Sequence, residues 1–150
     1  MNISGVVLAD TAAINVFLGK RTGLWPKDHE DIQEEVLIDY ASASEDLRIQ
    51  RYNMLGFVVP VPHDVQAKFV VVLQDWLFYF ERQLSSPRSL PYLLGERFTP
   101  VDCRVWDVLD QIGDLLSDYP DVYDSYKNVQ IFRNSVQSRP NIAAYLKTRK

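Results

Sequence analysis

Apolar side chains recur along most of the chain at steps of three and four residues, the spacing of one buried helix face. The clearest stripe joins Val65, Phe69, Val72, Trp76 and Phe80. The same spacing predicts helices over about residues 9–21, 31–54, 62–84, 99–115 and 124–137, and a last one from residue 140 onward. No strand ladder and no internal repeat is evident in the pattern. We therefore predict an all-α fold, a bundle of about six helices.

The strongest local signal is the stretch FTPVDCRVWDVL, which opens the predicted helix at residue 99. Thr99 takes the N-cap position, Pro100 the first helical position and Asp102 the third. Together they predict a capping box with Asp in place of the more usual Glu. Thr99 and Asp102 are thus expected to be structural residues that satisfy free amides at the helix start.

Composition narrows the class of protein. The chain has 150 residues, of which 47% are hydrophobic and 24% charged, as in an ordinary globular protein. A net charge of −4 argues against a nucleic-acid binder, which would present a basic face. The longest apolar stretch, residues 68–80, is interrupted by Gln74 and Asp75 and is too short to span a membrane.

Cysteine usage and the N-terminus favour a cytoplasmic protein. The single cysteine, Cys103, leaves no internal disulfide, which fits a reducing compartment. No basic segment followed by an apolar run marks a signal peptide, so none is expected. No His or Cys pairs have metal-ligand spacing either, so no metal site is predicted.

A second helix start lies near the beginning of the chain, where an apolar run leads into Asp10 and Thr11. Acceptor side chains just before an apolar-periodic segment are a helix-start signal, and the free amides there attract anions. Thr11 is therefore either a plain N-cap or a contact for an anionic ligand.

Five motifs, in this order along the chain, resemble those of the cytosolic glutathione transferases, in character closest to the sigma and pi classes. Residues 10–14 are similar to the Gln-Ser-x-x-Ile that begins the family's third helix, and residues 17–25 to the end of that helix and the linker. Residues 45–48 are similar to an acidic cluster on the family's fourth helix. Residues 92–95 with 99–102 are similar to its Gly-x-x-x-Ser/Thr-x-x-Asp capping motif, and residues 139–146 to its closing helix. The resemblance covers essentially the whole chain. It implies that residues 28–150 form the family's all-helical C-terminal domain, and residues 1–27 the last helix and linker of its thioredoxin-like N-terminal domain.

The resemblance also implies glutathione contacts. The Thr11 hydroxyl and the adjacent helix-start amide match the groups that hold the γ-glutamyl carboxylate of glutathione. Asp10 departs from the family pattern, and would fit only by binding the ammonium group of the ligand. Asp46 matches a carboxylate that reaches across a dimer to the glutathione of the neighbouring subunit, although a solvated charge explains it equally well.

Three aromatic residues, Tyr40, Tyr52 and Trp106, match the part of the family that lines an apolar substrate pocket. Core packing is the commoner fate of such side chains, so both interpretations stand. The hydroxyl or thiol that activates glutathione belongs to a region of the family that precedes the matched motifs. The resemblance therefore assigns no catalytic residue to this sequence.

The function that follows is that of a glutathione transferase-like protein, in which the glutathione thiol would attack an electrophile. Glutathione is then a co-substrate, and no resident cofactor is expected. Without the activating group, an N-terminally truncated chain is expected to be a poor catalyst alone, so the sequence leaves open whether it is an enzyme. The alternatives are a non-catalytic helical interaction module and a binder of apolar ligands.

The expected partner is a second copy of the chain, bound through the first helix and the long helix after it. Val16 stands where related proteins often place an Arg at that interface. A different partner chain, covering an exposed face of the first helix, is the alternative. Neither nucleic acid nor a membrane is expected as a partner.

Overall fold

The computed structural model describes residues 2–3, 5–9, 11–26, 33–56 and 60–149, and the account below concerns those residues. Its helices are α1 (Thr11–Thr22), α2 (Gln33–Leu55), α3 (His63–Leu84), α4 (Pro100–Leu115), α5 (Lys127–Gln137) and α6 (Pro140–Thr148). The predicted all-α bundle of about six helices is confirmed. The proposed boundary at residue 27 lies outside the described residues, and the division into two domains stays a prediction.

A small hairpin precedes α1 and was not predicted. Strands β1 (Asn2–Ile3) and β2 (Val6–Val7) pair antiparallel, with Asn2 opposite Val7 and Ile3 opposite Val6. Gly5 turns the chain between them at a φ of +85°, which glycine adopts without strain. Because each strand has only two residues, no alternation of apolar and polar positions could reveal it.

Helix α4 is the centre of the bundle. It packs against α2, α5 and α1, and α3 completes the core against α2 and α5. Seven of its sixteen residues are buried: Val101, Asp102, Val105, Trp106, Val108, Leu109 and Ile112. The spacing of this stripe is the one expected from the sequence.

The start of α4 is a buried polar junction. Thr99 has the extended backbone of an N-cap, and both Thr99 and Asp102 are fully buried. The Asp102 carboxylate accepts hydrogen bonds from the Thr99 N–H (2.7 Å), the Thr99 hydroxyl (2.6 Å) and the Leu93 N–H (2.8 Å). Asp102 therefore completes the capping box and also ties the preceding loop to α4.

Helix α5 begins at Lys127, three residues later than the sequence pattern predicts. The amides of Asn128 and Val129 donate to the carboxylate of Glu81 on α3, at 2.9–3.1 Å. Free amides at a helix start need such an acceptor. The acceptor here lies 47 residues away in the sequence, so no local signal could mark this start.

Among the described residues, no helix is both long and apolar enough to cross a membrane.

Candidate functional site

A cleft of about 420 Å³ opens where the start of α1, the first half of α4 and α6 meet. Its lining residues are Thr11, Asn15, Pro100, Cys103, Arg104, Trp106, Asp107, Ile142 and Tyr145. Two residues predicted from the sequence as functional, Thr11 and Trp106, are thereby brought to one site. The volume falls within the range of small-molecule pockets, about 300–1,000 Å³.

The absence of a side chain at Gly19 sets the position of α1. A Cβ at Gly19 would lie 2.9 Å from Cε3 of Trp25 and 3.2 Å from Cγ of Pro100, so only glycine allows this approach to the start of α4. Asn15 and Thr11 lie one and two turns earlier on the same face of α1. They face the cleft because Gly19 holds the other end of the helix against α4.

Thr11 is the first residue of α1 and is exposed. It therefore belongs to the turn of α1 whose free amides carry partial positive charge. Asp10 lies outside the described residues, so its predicted contact with the ligand stays a prediction. The partial positive charge of the helix start favours a carboxylate there, and the exposed Asp107 carboxylate in the same lining opposes one.

The opposite part of the cleft is apolar. Trp106 forms its floor and is only 5% exposed, while Ile142 is half-buried and Tyr145 is exposed on α6. Within the described part of the chain, the buried Nε1 of Trp106 has no hydrogen-bond partner. The cleft therefore combines a helix start with walls that suit an aromatic or aliphatic group.

The cation of the cleft is already neutralised. Arg104 donates from Nε to the Ser44 hydroxyl (3.0 Å), and its guanidinium pairs with Glu45. Glu45 also accepts from Nε of Arg48, at 3.0 Å. Arg104 therefore joins α4 to α2 and adds little free positive charge to the cleft.

Cys103 is the thiol of the cleft, and it is not activated. Burial, reinforced by the neighbouring Asp102, raises the pKa of Cys103 to about 11. The nucleophilic form of cysteine is the thiolate, so at neutral pH this side chain stays a protonated thiol. Among the described residues, no group of three or more His, Cys, Asp or Glu side chains could hold a metal ion.

Comparison with known proteins decides the family. Residues 63–149 match the family model described as glutathione S-transferase, C-terminal domain. The chain belongs to the glutathione S-transferase family. No curated protein sequence matches it. The match to the family model confirms the resemblance seen in the sequence.

A solved structure shows the same fold. The chain is similar to the pi-class glutathione S-transferase of Onchocerca volvulus, with a TM-score of 0.80 over 95% of this chain and 18% sequence identity. The chain spans 65% of the length of that protein. At this identity the likeness establishes the fold, and the activity has to be argued from the site.

The other predicted residues of this glutathione S-transferase chain lie away from the cleft, on α2. Asp46 is exposed, next to the ion-paired Glu45. Two guanidinium groups lie over the Tyr52 ring, with the Cζ atoms of Arg48 and Arg51 at 5.2 and 4.4 Å from its centroid. Tyr40 is buried and lines a second, smaller pocket. Tyr40 and Trp106 thus line different pockets and Tyr52 lines neither of the two described here, so a substrate pocket shared by the three residues stays a prediction.

Sequence reasoning did not assign Asn15, Arg104, Ile142 or Tyr145 to the site. Asn15 could have been found from its spacing, four residues after Thr11 on a predicted helix. Ile142 and Tyr145 are 131 or more residues from Thr11, and only the tertiary placement of α6, which packs against α5, brings them to the cleft.

Proposed function

We propose that this glutathione S-transferase family chain binds glutathione in the cleft between α1, α4 and α6. Thr11 and the first amides of α1 would hold the γ-glutamyl carboxylate. The apolar group of an electrophile or conjugate would pack on Trp106, Ile142 and Tyr145. The observation that supports this most is that one cleft contains both Thr11 and Trp106.

The proposed role of this cleft is binding, without activation of the glutathione thiol. Activation needs a donor or positive charge that stabilises the thiolate. Of the described cleft residues, Arg104 is ion-paired and Cys103 is held protonated by burial, so the donors that remain are neutral side chains, among them Asn15 and the solvent-exposed Tyr145. We therefore expect the chain to retain glutathione and its conjugates but to accelerate conjugation little.

The test is calorimetric titration with glutathione and with S-hexylglutathione. The hexyl conjugate is expected to bind at least tenfold more tightly, because its chain reaches the apolar walls. Thr11→Val removes the hydroxyl and should weaken both ligands by about tenfold, the value of one hydrogen bond to a charged group.

Thr22→Val is the matched control, since Thr22 lies at the other end of α1 and its hydroxyl donates to the Leu18 carbonyl. It should leave binding of both ligands unchanged. If neither ligand binds saturably, or if the two Thr variants behave alike, glutathione does not bind in this cleft.

A second function, binding of apolar ligands without glutathione, is favoured by the largely apolar walls and the protonated Cys103. It predicts that hexyl-bearing compounds without a glutathione moiety bind as tightly as S-hexylglutathione. Under the glutathione proposal those compounds bind weakly, and Thr11→Val does not affect them.

We also propose that the chain forms a homodimer through α1 and α2. These helices pack against each other and carry exposed apolar side chains: Leu18, Ile38 and Ile49. Ile38 and Ile49 are eleven residues apart and so share one side of α2. Asp46 lies one turn before Ile49, so this dimer would carry Asp46 to the partner, as the resemblance implies.

Light scattering after size exclusion tests the dimer. Ile49→Glu should give a monomer at micromolar concentration because a charge would be buried at the interface. Ile131→Glu is the matched control, with 47% exposure against 45% for Ile49, but on α5. A wild-type monomer, or dissociation by Ile131→Glu as well, would refute this interface.

A further inference from the structure

A second pocket, of about 250 Å³, lies between the start of α2, the end of α3 and the loop of residues 85–94. It shares no lining residue with the cleft. Seven of its ten lining residues carry a polar group, namely two amides, three hydroxyl groups, one carboxylate and one guanidinium, and the other three are aliphatic. This is a different chemistry from the apolar walls of the cleft, and a smaller space.

The floor of this pocket is rigid and uncharged. The Tyr40 ring is 3% exposed and stacks on Phe80, with 6.3 Å between ring centroids. Burial raises the pKa of the Tyr40 hydroxyl, which is hydrogen-bonded to Ser89, well above its ordinary value. Tyr40 therefore offers a fixed neutral hydroxyl at any physiological pH.

The loop that forms one wall is held in a strained conformation. Leu90 has a φ of +67°, a left-handed conformation that costs free energy for a residue with a side chain. Gly95 closes the loop, and a Cβ there would lie 3.1 Å from the Arg88 carbonyl oxygen. The Leu93 N–H is fixed to Asp102 at 2.8 Å. The wall is thus in place before any ligand arrives.

Charges of opposite sign lie at the mouth. Asp39 projects from α2 and accepts a hydrogen bond from the Tyr79 hydroxyl (2.6 Å), and Arg88 is exposed on the loop. The end of α3 adds to this polarity. Gln83 is in its last turn, the negative end of a helix. The positive end of α2 is offset by Glu34 and Glu35 in its first turn.

We propose that this pocket binds a small zwitterion of amino-acid size. Its carboxylate binds at Arg88, and its ammonium group at Asp39 and the end of α3. The Tyr40 and Ser89 hydroxyls hydrogen-bond the polar atoms between the two charges. A pocket of 250 Å³ excludes a ligand as large as glutathione with its conjugate, so this site is independent of the proposed function of the cleft.

The test is a titration of the ¹⁵N-labelled full chain with L-serine, followed by amide chemical shifts. L-serine should shift the amides of residues 86–94 saturably. Ethanolamine, glycolate and glycerol carry respectively the cation alone, the anion alone and neither, and each should bind at least tenfold more weakly. Equal binding of any of these three, or no response to L-serine, overturns the proposal.

Variants locate the contacts. Arg88→Gln and Asp39→Asn should each weaken L-serine binding at least tenfold, and Asp39→Asn keeps an acceptor for the Tyr79 hydroxyl. Arg82→Gln and Asp75→Asn, exposed on α3 and outside the lining, should have no effect on L-serine binding. Loss of binding in the control variants, or retention in Arg88→Gln, would contradict the assignment.

Discussion

Helices α1 and α4 meet at the cleft but are held in opposite ways. Helix α4 buries seven of its sixteen residues, including a complete polar capping junction. Helix α1 buries one of its twelve residues, Gly19, and that residue has no side chain. Helix α4 is thus fixed by its buried side chains, and α1 by a close backbone approach at one point.

The difference explains where the candidate site lies. A helix that buries a broad stripe leaves little room for a ligand along it, whereas one that touches its neighbour at a single turn leaves a cleft beside the other turns. Thr11 and Asn15 are on those other turns of α1, while Trp106 belongs to the buried stripe of α4. The site therefore has one rigid wall and one lightly held wall.

The largest effect is expected from Asp102→Ala. The variant leaves the buried amides of Thr99 and Leu93 without an acceptor, at about 1–3 kcal/mol each, so we expect a loss of about 3–4 kcal/mol in the free energy of unfolding. Urea unfolding followed by circular dichroism measures it. Asp107→Ala, exposed on the same helix, should change stability by less than about 0.5 kcal/mol. Equal effects would mean that the junction does not stabilise α4.

The stability of the protein should also depend on pH through the ionisation of Asp102. Burial raises the pKa of Asp102 from 3.8 to about 6, although its hydrogen bonds oppose the shift. Folding therefore favours the protonated form of Asp102. The stability that this preference contributes is fully present below about pH 4 and is lost as the pH rises through 6. At about 1.4 kcal/mol per pKa unit, it is at most about 3 kcal/mol. Unfolding of wild type and Asp102→Asn between pH 4 and 8 should differ in slope in this sense, and parallel curves would contradict it.

Replacing a glycine by alanine should change stability in opposite directions in α1 and α4. Gly19→Ala forces a methyl group against Trp25 and should destabilise the protein by about 1–3 kcal/mol, despite the better helix propensity of alanine. A Cβ at Gly113 on α4 would meet Cε2 of Tyr123 at 3.5 Å and Nη2 of Arg133 at 3.7 Å, both ordinary contacts. Gly113→Ala should therefore stabilise by about 0.5–1 kcal/mol. Thermal unfolding of both variants checks this, and a shift of both melting temperatures in the same direction would contradict it.

The smallest effects on stability are expected from the threonine residues at the starts of α4 and α1. Thr99→Ala should cost about 1 kcal/mol, the usual value of an N-cap residue. Thr11→Ala, at an exposed position, should cost less than about 0.5 kcal/mol while still weakening glutathione binding. Urea midpoints of the two variants give the comparison. A larger loss in Thr11→Ala would assign that residue a structural role.

Local signals predicted the fold well. Periodicity gave α3, and the sequence TPVD gave the start of α4 at Pro100, because both depend on residues close in sequence. The start of α5 could not be predicted, since its acceptor is Glu81 on another helix. The hairpin of β1 and β2 is too short to show a period.

The site was predicted less completely than the fold. Thr11 was found because a helix start has a local signature, and Trp106 because it is an aromatic residue in the part of the chain that resembles the family's apolar pocket region. Their meeting in one cleft depends on Gly19, whose role is visible only when Trp25 and Pro100 are placed against it. Tyr40 and Tyr52 on α2 are aromatic like Trp106, but they do not line the same cleft. The periodicity of the sequence does not show which helices lie next to each other.

The carboxylate of Glu81 gives α5 a dependence on α3. The amides of Asn128 and Val129 lose their acceptor whenever α3 moves away, so the first turn of α5 cannot be formed independently. A segment of eleven residues is too short to be helical in isolation. These two amides should therefore exchange with solvent deuterium only when α3 and α5 open together, as one cooperative unit and not as a fraying end.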